Sequence, residues 1–173
     1  MDPTALLIDA ARRPLHAADQ VLDGITEEML HTMPGGRANS IAWLVWHATR
    51  QQDVQVSALR GGEEVWVSGG WSARTGVPRG AGDFGFGDGP TEVSALRVRG
   101  ADELLGYVAA VIASVEDYLR GLSEADLADV VDTAWTPPVT RGVRLVSTID
   151  DAVAHMGQAA YVRGLLEGWS IGY

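Results

Sequence analysis

The chain predicts an all-α protein: a four-helix bundle with a long crossover between its second and third helices. Two observations carry that expectation. Four stretches repeat apolar residues at the three-and-four spacing of an amphipathic helix. Between the second and third of them, residues 61 to 89 hold ten glycines and Pro78, a composition too loose for a core helix and a length beyond an ordinary turn.

The first helix opens at Asp2, an N-cap residue followed by a first-turn proline, Pro3. It continues through Leu6, Leu7, Ala10, Leu15, Ala18, Val21 and Leu22, with a bend expected at Pro14. After a turn-rich connection, Asn39 or Ser40 can cap the second helix, whose apolar face runs through Ile41, Leu44, Val45 and Ala48. Gly61 and Gly62 stop it. The glycine-rich segment, bounded at about 61–92, is either a free excursion or a loop lying over a site; Trp66, Trp71, Phe84 and Phe86 favour one that packs onto something. The third helix spans roughly Ala101 to Gly121, with Leu104, Val108, Val111, Ile112, Val115 and Leu119 at helical spacing. Ser123 and Asp126 then form a capping box for a short turn, and the prolines of "TAWTPP" keep that stretch extended. Ser147 or Thr148 is expected to cap the fourth helix, which runs to about Gly168. No repeat and no break in composition marks a boundary, so residues 1–173 are expected to form one domain.

Composition removes several function classes. Without cysteine there is no disulfide scaffold, no thiolate zinc site and no cysteine nucleophile. All thirteen basic residues are arginines, so lysine Schiff-base chemistry and a lysine phosphate cradle are also excluded. A formal charge of −10 with no basic run opposes a phosphate backbone, and nucleic acid is not an expected partner. The opening "MDPTALLIDAARR" begins acidic, and no stretch of about 18 apolar residues occurs, so a cytoplasmic protein without a membrane partner is expected.

Four histidines remain to be weighed. His16 lies beside Arg12 and Arg13, and His31 in a connection; both read as solvated. His47, in "NSIAWLVWHATRQQD", follows Leu44 by three residues on or beside the buried stripe, where a histidine alone is most simply a core residue with its hydrogen bonds satisfied. Asp151 and His155 change that reading. Four residues apart, they share one helix face with Ala152, Ala159, Val162 and Leu166, and an ionised carboxylate there is costly unless paired or bound to a cation. Asp150, about 140° away from His155 around the helix, fits a solvated or capping role. The plain alternative is a structural Asp151–His155 hydrogen bond. A bundle can instead bring His47 from one helix and Asp151 and His155 from another to one point, a two-histidine, one-carboxylate set that suits zinc, nickel or iron(II).

The chain resembles the DinB-like bundles, a superfamily that includes mycothiol-dependent maleylpyruvate isomerase. The resemblance is carried by "NSIAWLVWHATRQQD", by "AHMGQAAYVRGLLEG", whose "HMGQ" is similar to the family's H-x-G-Q run, and more loosely by "TEVSALRVRGADELLGYV". It covers most of the chain, least of all the glycine-rich loop. It implies an up-down-down-up order, frequent dimers, and metal ligands that fall on His47, Asp151 and His155. Many members carry three histidines, and Asp151 at the middle position resembles the acidic ligand of the mycothiol-dependent isomerases.

The function expected is therefore a divalent-metal enzyme, with zinc first and nickel or iron as alternatives, that activates a low-molecular-weight thiol such as mycothiol for transfer to, or isomerisation of, an electrophilic substrate. The thiol must be a cosubstrate because the chain has none of its own. A metal-dependent hydrolase and a non-catalytic bundle that binds a metal or small ligand are the alternatives. Arg50, Gln158 and Arg163 are the expected substrate contacts, and no residue is forced as a general base. Six tryptophans and the long loop offer more apolar surface than one bundle core need absorb, which points to a homodimer.

Overall fold

A computed structural model describes residues 2–172. Its frame is four long helices, α1 (Pro3–Leu22), α3 (Ile41–Arg60), α7 (Ala101–Arg120) and α8 (Arg141–Glu167). Short helices α2 (Glu27–His31), α4 (Val65–Ser68), α5 (Trp71–Thr75) and α6 (Pro90–Ala95) fill the connections, and a two-stranded ribbon of β1 (Val130–Asp132) and β2 (Val139–Thr140) precedes α8. Around the bundle α1 touches α7 and α8, and α3 touches the same two from the opposite corner. Side-chain bonds give the directions. Arg12 at the middle of α1 reaches Glu116 near the end of α7, while Asp19 and Leu22 at the end of α1 share a cavity with Ala101 and Leu105 at the start of α7, so those helices are antiparallel. Asp53 meets Tyr107 while Arg60 meets Ser114, so α3 and α7 run together. Arg144 near the start of α8 meets Gln55 near the end of α3, which makes that pair antiparallel. The order is up-down-down-up, as expected of a bundle with one long crossover. Among the described residues, no helix is long and apolar enough to cross a membrane.

The ends of the long helices follow their caps. Asp2 Oδ1 accepts from the Thr4 amide at 3.0 Å, and Ser40 Oγ accepts from the Trp43 amide at 3.2 Å. Gly61 ends α3 in the left-handed region at φ +69°, where a residue with a Cβ would be strained. Pro14 is buried inside an unbroken α1. The start of α8 differs from expectation by two turns: Thr140, not Ser147 or Thr148, is the cap, with its hydroxyl 3.4 Å from the Val143 amide. Ser147 and Thr148 instead return their hydroxyls to the carbonyls of Val143 and Leu145, an interior use of residues that also make good caps. The reason is tertiary, since pairing of β2 with β1 carries the chain straight into the helix.

The crossover is more ordered than its composition suggests. Trp66 and Trp71 are buried against Tyr107 of α7, with ring centroids 5.0 and 5.5 Å away, while Phe86 stays 87% exposed. Two of the aromatics expected to supply surplus surface are thus absorbed within their own chain. His31 is another departure. It is buried, donates from Nδ1 to the Glu27 carbonyl and accepts at Nε2 from the Val98 amide, each at 3.0 Å, pinning α2 to the segment before α7.

Candidate metal centre

The seam between antiparallel α3 and α8 carries the site. Ser40 fixes the start of α3, and the core residues Ile41, Leu44, Val45 and Ala48 set its rotation, so that His47 comes to the seam with 8% of its surface exposed. On α8, Ala152, Met156 and Ala159 hold the buried face, and Asp151 and His155 flank it one turn apart. Across the seam the His47 and His155 ring centroids are 4.7 Å apart. One potential ligand atom from each of His47, Asp151 and His155 lies within 4.8 Å of the others, a grouping that could hold a metal ion.

The hydrogen bonds leave the right atoms free. His155 Nδ1 lies 2.7 Å from the Asp151 carbonyl oxygen, and His47 Nδ1 is bonded to the Phe84 carbonyl. A carbonyl can only accept, so each ring carries a proton on Nδ1, and in its neutral form the lone pair is on Nε2, the arrangement a metal-binding imidazole requires. Asp151 Oδ2 is buried without a hydrogen-bond partner, and its closest cationic neighbour would be His155 Nδ1 at 3.4 Å if that ring were protonated. Burial pushes the His47 pKa below its usual value; the Phe84 carbonyl opposes this and His155 adds to it. The neutral, ligating form of His47 is therefore favoured.

The crossover buttresses His47 from the far side. Trp43 stacks on the imidazole with centroids 4.4 Å apart and planes 8° from parallel. Its indole N–H donates to Asp88 at 2.9 Å, and Asp88 is paired with Arg79 at the same distance. Gly85 lets the loop come this close: at φ +77°, a Cβ on it would stand 2.9 Å from the Trp46 ring. None of Phe84, Trp43 and Asp88 was expected at the site. Only the aromatic and glycine content of "GDFGFGDG" hinted that this stretch packs closely, and a backbone carbonyl has no signature in a sequence.

The expected substrate contacts are placed differently from one another. Arg50 is fully buried; its guanidinium donates to Asp53, Glu64, Tyr107 and the carbonyls of Gly80 and Asp83, which leaves nothing for a substrate anion. Arg163 donates to the carbonyls of Gln20, Val21 and Asp23, closing the end of α1, and pairs with Glu167. Gln158 alone faces open space, in a cavity beside Leu44.

A family model described as the DinB superfamily matches residues 10–159. A crystal structure of a conserved protein from Enterococcus faecalis is similar over 98% of this chain and 99% of that one, with 38% sequence identity and a TM-score of 0.89. No curated protein matches the chain.

Proposed function

The chain belongs to the DinB superfamily, and on that footing we propose that it is a divalent-metal-dependent enzyme that activates a small-molecule thiol, such as mycothiol, for transfer to or isomerisation of an electrophile. One observation carries the reading: two imidazoles with Nδ1 committed to backbone carbonyls and an unpaired buried carboxylate oxygen converge on one point. No other group among the described residues completes that set, so the donors fit a cation, with zinc first and nickel or iron(II) as alternatives. His47, Asp151 and His155 would hold it. A cation bound there supplies Lewis acidity, which lowers the pKa of a thiol or polarises an electrophile sharing its coordination.

The chain's own residues have simpler tasks. The Phe84 carbonyl and the Trp43 ring hold His47 in one orientation and tautomer, and the Trp43 face excludes water from one side of it. Asp151 offsets positive charge and, as a ligand, is unavailable as a base. With no cysteine in the chain, the attacking sulfur comes from the cosubstrate. A homodimer belongs to the same reading; with Trp66 and Trp71 buried, its support is the apolar surface left on α1 and α8 at Leu6, Val146 and Val153.

The test begins with protein purified without a nickel column. We expect close to one divalent ion per chain, retained by His16→Ala and lost by His47→Ala and His155→Ala. Zinc-, nickel- and iron-loaded protein is then followed for loss of mycothiol, bacillithiol and glutathione against a panel of electrophiles, with a rate at least about tenfold above that of His47→Ala. Equal rates for every thiol would remove the transfer reading and leave a hydrolytic or binding role for the same centre.

A further inference from the structure

Two cavities flank the centre along the α3/α8 seam, and their charges differ. The one toward the start of α8, about 420 Å³, is lined by Gln55, Arg141 and Arg144. Both arginines there are already neutralised, Arg141 by Asp129 at 3.1 Å and Arg144 by Asp132 at 2.7 Å. The cavity on the other side, about 430 Å³, is lined by Arg37, Asn39, Leu44, Gln158, Tyr161 and Leu165 among others. Arg37 has no ion pair and no side-chain hydrogen bond among the described residues, unlike the arginines of the first cavity. This second cavity begins within one helical turn of the centre. Leu44 precedes His47 by three residues and Gln158 follows His155 by three, so on antiparallel helices both lie about 5 Å along the axis from the ligands.

We infer that this cavity binds a small carboxylate with an apolar body, the carboxylate against Arg37 and the body between Leu44, Tyr161 and Leu165. A guanidinium presents paired donors to a carboxylate, and the amides of Asn39 and Gln158 add neutral donors at the same rim. The apolar side is equally marked: Tyr161 and Leu165 are 69% and 57% exposed, while Leu44 closes the floor at 1%. A single free cation matches a monoanion better than a phosphate. The volume suits a molecule of one or two rings or a short chain. At a net charge of −10 the protein as a whole repels anions, so selectivity for the carboxylate comes from contact at Arg37. That this ligand is the electrophile rests on the thiol-transfer reading; its recognition does not require the metal.

The probe is 2-naphthoate, with the neutral 2-naphthalenemethanol as its partner, titrated calorimetrically into zinc-loaded and metal-free protein. Wild type should bind naphthoate several-fold more tightly than the alcohol. Arg37→Gln should weaken naphthoate by about five- to tenfold and the alcohol by less than about twofold. Arg97→Gln, the same charge change at another exposed arginine, should leave both unchanged. Leu165→Glu, on the opposite wall, should weaken both compounds, naphthoate the more. Equal affinities in Arg37→Gln and Arg97→Gln overturn the inference, as does wild type that binds neither compound at millimolar concentration. Naphthoate binding that persists with its Arg37 dependence in metal-free His47→Ala supports the cavity even where the metal or thiol reading has failed, so the two failures are told apart.

Discussion

Helix α3 contributes to two polar clusters less than two turns apart, one buried around Arg50 and one half-buried around His47, and they are built on opposite terms. Arg50 and the groups bonded to it all have partners. Asp53 accepts from the Val65 and Trp66 amides and from the Tyr107 hydroxyl, each at 2.8 Å, and pairs with Arg50 at 3.2 Å; Arg50 also pairs with Glu64 and packs 4.9 Å from the Trp66 ring. Burial and the charge of Asp53 push the Tyr107 pKa well above its usual value, so the phenol stays protonated and donates. Around His47 the account does not close: each imidazole uses one nitrogen, and Asp151 Oδ2 has no partner. A closed polar network holds chain segments in place, here the crossover onto α3 and α7. An open one converging on a point has room for a ligand.

That contrast is broken most sharply by truncating the two aspartates. Asp53→Ala removes one of the two carboxylates paired with the buried Arg50 guanidinium, leaves two amides and the Tyr107 hydroxyl without their acceptor, and should cost about 3–5 kcal/mol in urea unfolding of metal-free protein. Asp151→Ala removes a group with no partner to strand, and its metal-free stability should stay within about 1 kcal/mol of wild type. Comparable losses would show that Asp151 is structural and that the distinction between the clusters is false.

A milder probe of the closed cluster is Tyr107→Phe, which deletes one hydroxyl bonded to both Asp53 and Arg50. The expected cost is about 1–2 kcal/mol, with zinc affinity unchanged, because the ring still packs on Trp66 and Trp71 and the hydroxyl touches nothing at the centre. A parallel fall in zinc affinity would mean that the crossover transmits the change to His47 through Phe84.

The open cluster was more legible in the sequence than the closed one. Asp151 and His155 betray themselves by helical spacing, since two polar residues beside a continuous apolar stripe require a reason. His47 joins them once the bundle is granted. Arg50 and Asp53 sit at the same kind of spacing, yet what satisfies them comes from Glu64, Gly80 and Asp83 in the crossover and from Tyr107 on the next helix. Those partners lie 14 to 57 positions away with no periodicity to connect them, so Arg50 read as a free anchor. Arg163 misled in the same way, because its carbonyl partners sit at the end of α1. Local pattern located the four helices; the start of α8, the short helices of the crossover and the carbonyl beneath His47 depend on tertiary contacts.

His31 extends the comparison to single residues and has the smallest expected effect. Unlike His47 and His155, it uses both nitrogens, donating to Glu27 and accepting from Val98. Burial lowers its pKa, with the Glu27 carbonyl opposing and Arg97 adding to the shift. The unfolded chain then binds a proton at higher pH than the folded one, so the contribution is full above about pH 6.5, the unfolded value, and is lost as pH falls through the folded value. In metal-free protein His47 acts in the same sense, so the measurement is a difference. The melting temperature of wild type should fall further between pH 7.5 and 5.0 than that of His31→Gln, which cannot gain the proton that breaks the Val98 bond. Identical pH dependence in the two would place His31 outside the closed part of the fold, despite its two bonds.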